Sequence, residues 1–252
     1  MVLRRLSRLA VVPVAPVLFV QARRLRRVVP LLPDAALPWH GSVAGPDPLH
    51  LLVLGDSTAA GVGADTQSDA LPGSLAAELS QRLGRGVTWR AVAENGATAR
   101  DLLERFADDA VAEPFDLVFL TVGANDALGI RSRAAFVHDL RTVIAGLRAA
   151  APSALVLMSS LPHFARFTLL PAPLRWNLAL HADNLEDGAR TVISTTPDAW
   201  LSPKPPGYGE DFFAGDRFHP GPVGYRDWAR FALDQAPQLL ERLRRAPAPG
   251  PR

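Results

Sequence analysis

The chain has 252 residues, 48% of them hydrophobic, a formal net charge of +2 and no cysteine. That length and apolar content suit one sizeable domain with or without a tail. The missing cysteines exclude disulfides, thiolate metal sites and a cysteine nucleophile.

The charge is unevenly placed. Residues 1–30 carry seven arginines (Arg4, Arg5, Arg8, Arg23, Arg24, Arg26, Arg27) and no acid, which leaves 20 basic against 25 acidic residues in the remainder. A basic arm on a mildly acidic body argues against a nucleic-acid-binding domain. Leu9–Val20 is an apolar run of 12 residues, shorter than the ~20 needed to span a bilayer. Pro13 and Pro16 within it are expected to break a helix. The run resembles the apolar core of a secretory signal, with Val20-Gln21-Ala22 as a cleavage site, but the arginines that follow disfavour export. Two readings remain level: a loosely packed arm, or a peripheral element lying on an anionic membrane surface through residues 1–33. The expected location is therefore cytoplasmic or peripherally membrane-associated rather than secreted. On the membrane reading, deleting residues 1–33 abolishes vesicle binding. Residues 30–48, rich in proline and glycine, read as a linker, so the arm and linker are assigned to 1–48, the main domain to 49–245 and a frayed tail to 246–252.

From Leu49 onward, strand and helix signals alternate. Leu49–Leu54 reads as a buried strand, Leu71–Leu83 as a helix closed by Gly84 and Gly86, and Val87–Ala93 as a second strand. Thr98 caps a helix running to about Asp109. Asp116–Val122 is a third strand, Ser132–Ala150 a long amphipathic helix and Ala154–Ser159 a fourth strand. Leu174–Ala189 is helical, Arg190–Ser194 reads as a short fifth strand, and 197–218 reads as loop. A last helix, Pro222–Leu243, is expected to kink near Pro237. This alternation predicts a parallel sheet covered by helices on both faces, and the continuously apolar strands fit burial on both sides.

Three small-plus-polar clusters then fall at strand ends, where open parallel sheets bind ligands: Gly55-Asp56-Ser57, Glu94-Asn95-Gly96 and Gly123-Ala124-Asn125-Asp126. Taken singly, each is also what an ordinary turn needs. A serine nucleophile requires a base. Of the six histidines, His40 and His50 lie in or beside the linker, and His138 and His181 lie within helices, read as solvated. His163 follows the fourth strand on the same rim. His219 stands three residues after Asp216, close enough for a turn to join carboxylate and imidazole.

The blocks "GDSTAAGVGA", "ENGATA", "VGANDA" and "DRFHPGPVGYRDWA" resemble, in order and spacing, the SGNH or GDSL-type hydrolase family over roughly Leu49–Ala232. The resemblance implies a flavodoxin-like three-layer α/β/α sandwich with a five-stranded parallel sheet. It implies Ser57 as nucleophile, His219 as base and Asp216 as its orienting acid. The oxyanion hole would comprise the amides of Ser57 and Gly96 and the side chain of Asn125. It implies cleavage of small-molecule or lipid esters with no metal and no cofactor. Two rivals stand beside it: a phosphate- or flavin-binding protein on the same fold, and a non-catalytic membrane-surface protein. Leu161–Gly188 matches no subfamily. Its Phe164, Phe167, Leu169, Leu170 and Trp176 read either as lid or acyl pocket or as an ordinary packed loop, and Phe212 and Phe213 are equally open.

Overall fold

A computed structural model describes residues 6–245; Arg4, Arg5 and the tail assigned to 246–252 lie outside the described residues. The arm forms two helices, α1 (Ser7–Val11) and α2 (Ala15–Val28), joined by a 3-10 turn at Val12–Val14. The expected break falls here, as an interruption of the α-helix between Val11 and Ala15 rather than an end to helical structure. Pro13 and Pro16 each sit in the first turn of a helical segment, where a missing N–H costs nothing. One side of the arm is docked: Ser7 and Leu18 are buried, the Gln21 side chain donates to the Ala172 carbonyl at 2.7 Å, and it accepts from the Leu174 amide at 3.2 Å. No helix among the described residues is long and apolar enough to cross a membrane.

Six strands form one sheet: β1 (His40–Val43), β2 (Leu49–Gly55), β3 (Val87–Ala93), β4 (Leu117–Thr121), β5 (Leu155–Met158) and β6 (Ala199–Leu201), in the order β1-β3-β2-β4-β5-β6. The last five run parallel, and their order along the sheet is the flavodoxin-like one. The expected five-stranded sheet gains a sixth member because β1, inside the supposed linker, pairs antiparallel with the edge of β3. Its "HGSV" is short and never buried, so it carries no strand-like apolar signal.

The helices are α3 (Leu71–Leu83), α4 (Ala99–Arg105), α5 (Ala107–Val111), α6 (Ala124–Leu128), α7 (Arg133–Ala150), α8 (Leu174–Ser194), α9 (Pro222–Asp234) and α10 (Pro237–Arg245). The helix expected from Thr98 begins with a reciprocal cap between Thr98 and Asp101, but breaks at Phe106 into α4 and α5. The expected kink near Pro237 is a full break between α9 and α10.

The fifth parallel strand lies elsewhere than expected. Arg190–Ser194 is not a strand; it is the last turn of α8, and the fifth parallel strand is Ala199–Leu201, within the stretch read as loop. Leu178, Ala182, Leu185, Ala189 and Val192 keep a four-three-four-three spacing and are all buried, so the helical stripe runs through the β-branched residues without interruption. The three half-buried residues of β6 are too few to announce themselves.

Alternate residues of β2 feed two cores. Leu52 and Leu54 join Val118, Phe136, Leu140 and Leu185 under α7 and α8. Leu51 and Val53 join Phe119, Leu75, Leu79 and Leu233 under α3 and α9. The result is the expected α/β/α sandwich, with the C-terminal ends of β2, β3 and β4 on one rim. β2 lies between β3 and β4, so the strand order reverses there and opens a crevice above its end.

Candidate active site

Gly55 closes β2 against β4, and a Cβ there would stand 2.1 Å from Thr121 Oγ1. Only glycine lets the strands stay in register to the rim, where the Asp56 amide donates to the Thr121 carbonyl at 3.1 Å. Asp56 then turns the chain. Its Oδ1 accepts from the Thr58 amide at 3.1 Å and the Thr58 hydroxyl at 2.8 Å, a local turn favoured by aspartate. Burial holds the Asp56 carboxyl above its ordinary pKa. These two residues leave Ser57 at the head of the turn beside the crevice.

The loop that returns toward Ser57 is pinned at both ends. Phe213 bridges to Pro220, and the Ala214 amide donates to the His219 carbonyl at 2.8 Å. Within it, Asp216 Oδ1 accepts from the amides of Phe218 (2.9 Å) and His219 (3.0 Å). His219 Nδ1 donates to Asp216 Oδ2 at 2.6 Å, and the Ser57 hydroxyl donates to His219 Nε2 at 3.0 Å. Burial alone would raise the Asp216 carboxyl; the hydrogen bonds from the His219 ring and the two amides outweigh it and hold the pKa below its ordinary value.

The other predicted residues stand nearby. Gly96 has φ 91° with nothing within 4 Å of a Cβ, so glycine is required there by backbone conformation rather than by space. Neither the Ser57 amide nor the Gly96 amide donates to any acceptor among the described residues. Asn125 Nδ2 donates one hydrogen to the Ala97 carbonyl at 3.0 Å, tying the second rim turn to the third and leaving its other N–H unspent. His163 is not part of this line. Its amide donates to the Tyr208 hydroxyl at 3.1 Å, its Nδ1 is buried without a partner, and burial, then the charges of Lys204 and Arg166, depress its pKa.

Two supports escaped the sequence reading. The Tyr225 hydroxyl, on the first turn of α9, donates to the Val62 carbonyl at 2.6 Å and so fixes the helix that follows His219 to the loop that follows Ser57. The second is a chain of polar contacts behind Asn125. Asp126 accepts from the Ala99 amide (3.0 Å) and from Arg131 (2.7 Å), and Arg131 also reaches Asp139 at 2.6 Å. The Arg131 carbonyl accepts from His181 Nε2 at 3.0 Å, and His181 Nδ1 accepts from the Ser7 hydroxyl at 2.9 Å. His181 is therefore fully buried rather than solvated. The cue was available: it stands three residues after Leu178, on the buried stripe of α8. His138 is exposed as expected.

Aromatic side chains wall the crevice. Phe167, Tyr208, Phe212, Phe213 and Phe218 line it together with Ser57 and His219. Phe164 and Phe167 are buried and stack edge-on at 5.3 Å, so part of the ambiguous segment is pocket wall, while Trp176 stays 53% exposed outside it. Tyr208 keeps its proton, because burial pushes its pKa up to about 12.

A family model described as "GDSL-like Lipase/Acylhydrolase family" matches residues 53–226. The chain is similar to a GDSL-like esterase of Mycobacterium tuberculosis, Rv1075c, at 27% identity over 188 residues, or 71% of this chain and 59% of that one. It thus spans less than two thirds of that relative's length. Among solved structures, TesA superposes with a TM-score of 0.58 at 22% identity, over 75% of this chain and 99% of the other. The psychrotrophic esterase EstA from Pseudoalteromonas sp. gives 0.57 at 15%, over 76% and 98%. At such identities the structural likeness speaks for the fold alone.

Proposed function

The chain belongs to the GDSL-like lipase/acylhydrolase family, and from that premise we propose that it is a serine hydrolase of carboxylic esters, with Ser57 as nucleophile, His219 as base and Asp216 as the orienting acid. The observation that carries this reading is the unbroken line of hydrogen bonds from Ser57 through His219 to Asp216, at 3.0 and 2.6 Å, at the foot of an apolar crevice. The hydrolase unit is residues 49–245, with β1 as an added edge strand. His219 takes the Ser57 proton as the hydroxyl attacks the ester carbonyl. Asp216, held ionised, stabilises the imidazolium. The oxygen turns negative and moves toward the unspent N–H groups of Ser57, Gly96 and Asn125. His219 then protonates the leaving alcohol, and water cleaves the acyl-enzyme by the reverse path.

A fluorophosphonate probe tests this directly; EstA is itself described as inhibited by monoethylphosphonate. Wild-type protein becomes labelled and Ser57→Ala does not. Equal labelling of the two would reject Ser57 as nucleophile. The phosphate- or flavin-binding rival leaves the Asp216–His219 pair without a role.

The open side of the arm supports peripheral contact with an anionic membrane. Val17, Phe19 and Val20 are 48%, 65% and 65% exposed beside Arg23, Arg24, Arg26 and Arg27. Deleting the arm is no longer a clean test, since it strips Ser7 from His181 and Gln21 from the start of α8. Replacing Val17, Phe19 and Val20 together by serine is expected to abolish sedimentation with phosphatidylserine vesicles while leaving hydrolysis of a soluble ester in place. Unchanged sedimentation would remove the arm as the membrane element.

A further inference from the structure

Beyond the aromatic wall lies a second groove that shares Tyr208 and Phe213 with the crevice above Ser57. Three arginines line it, Arg166, Arg175 and Arg217, against a single acid, Glu210. None of the three pairs with a carboxylate among the described residues. Guanidiniums elsewhere are satisfied differently: Arg131 is held by two carboxylates and Arg90 by main-chain carbonyls.

We propose that this groove binds an anionic group, a carboxylate or a phosphate, carried by the ester substrate at a distance from the bond that is cleaved. The inference rests on the hydrolase reading for the word substrate, and on the groove's own chemistry for the word anionic. Arg175 Nε is buried without a partner, an arrangement that costs free energy unless an acceptor arrives. Arg175 also stands in the first turn of α8, which has no acid in that turn and is capped by a neutral group, the Gln21 side-chain oxygen on the Leu174 amide. A cation there adds to the positive end of the helix dipole, and an anion would relieve both. Its guanidinium carbon lies 4.8 Å from the centre of the Trp176 ring, which orients the group. Arg217 lies between Asp216 and His219 with φ 58°, a left-handed conformation unusual for arginine. Among the described residues its one side-chain hydrogen bond, to the Thr168 hydroxyl, is long at 3.5 Å, so its other donors are unspent. Planar forks of this kind suit carboxylate and phosphate oxygens. The ester at Ser57 and the anion at the arginines would then be linked by a segment running over Tyr208 and Phe213.

The test compares esters that differ in charge. On the acyl side, p-nitrophenyl octanoate is set against the mono-p-nitrophenyl ester of suberic acid. On the alcohol side, 4-acetoxybenzamide is set against 4-acetoxybenzoate and 4-acetoxyphenyl phosphate. The expected result is a kcat/KM ratio of anionic to neutral ester on the order of 10-fold in at least one pair, from a few partly exposed charge contacts. That ratio should fall toward unity in the Arg166→Gln/Arg175→Gln protein and in 0.5 M salt. A ratio near unity in wild type, or one that survives both substitutions, overturns the proposal. If no ester of either kind is cleaved and Ser57 is not labelled, the hydrolase reading has failed. Tryptophan fluorescence then decides the groove alone, because Trp176 stacks on Arg175. A saturable change with inorganic pyrophosphate or glutarate, lost in the double variant and in Trp176→Phe, upholds an anion site; no change in wild type rejects it.

Discussion

His219→Ala lowers turnover of a small soluble ester by on the order of 10³-fold or more, because a base and its nucleophile act as one unit. His163 is the comparison that gives this result its meaning. Both histidines follow strand ends on the same side of the sheet, but only His219 has a carboxylate on one ring nitrogen and a serine on the other. A base must carry a proton during the reaction. At His163, burial and then two neighbouring cations oppose that charge, whereas the His219 ring donates to the Asp216 carboxylate, which is held below its ordinary pKa. His163→Ala is therefore expected to alter KM at most; its contact with the pocket residue Tyr208 is made by the main-chain amide, which alanine keeps. The measurement is kcat on folded variants. A dead His163→Ala beside an active His219→Ala would dismantle the triad. Asp216 adds a pH signature. Its folded pKa is depressed, so its contribution to stability is complete above the ordinary carboxylate range and is lost as pH falls through the lower folded value.

Asn125→Ala is expected to lower kcat by 10²- to 10³-fold, about 3–4 kcal/mol, with little change in KM, as for loss of one donor to a developing oxyanion. The substitution also cuts the tie to the Ala97 carbonyl. That bond is worth only about 1 kcal/mol net, so the variant should unfold at nearly the wild-type temperature. The rim turns stay joined through Asp126, which holds the Ala99 amide. A folded Asn125→Ala protein within a few-fold of wild type would exclude Asn125 from the oxyanion site. Asp126→Asn makes a useful contrast: it weakens the contact to Arg131 behind Asn125 and should disturb stability more than Asn125→Ala does.

The residue types and spacings of the sequence determined much of this molecule. Apolar runs without alternation, separated by helical stripes, required a doubly covered parallel sheet, because a strand buried on both faces has nowhere to place polar groups. Strand ends then had to bring Ser57, Gly96 and Asn125 to one rim. Asp216 and His219 were legible as a pair because three residues of separation is what a tight turn spans. Tertiary structure alone decided the rest. Thr191, Val192 and Ile193 are β-branched and make residues 190–194 locally strand-like, yet packing of the α8 stripe carried the helix through them. His40–Val43 became a strand only because β3 offered an open edge. His181 looked like a solvated helix residue until Ser7, 174 residues away, supplied its acceptor-side partner. The arginines of the second groove come from separate segments, with Arg166 and Arg175 far from Arg217 in the chain, so their shared, unpaired charge exists only where the fold brings them to Tyr208. Local periodicity fixes which face of an element is buried; which distant side chain meets it depends on the packing of the whole chain.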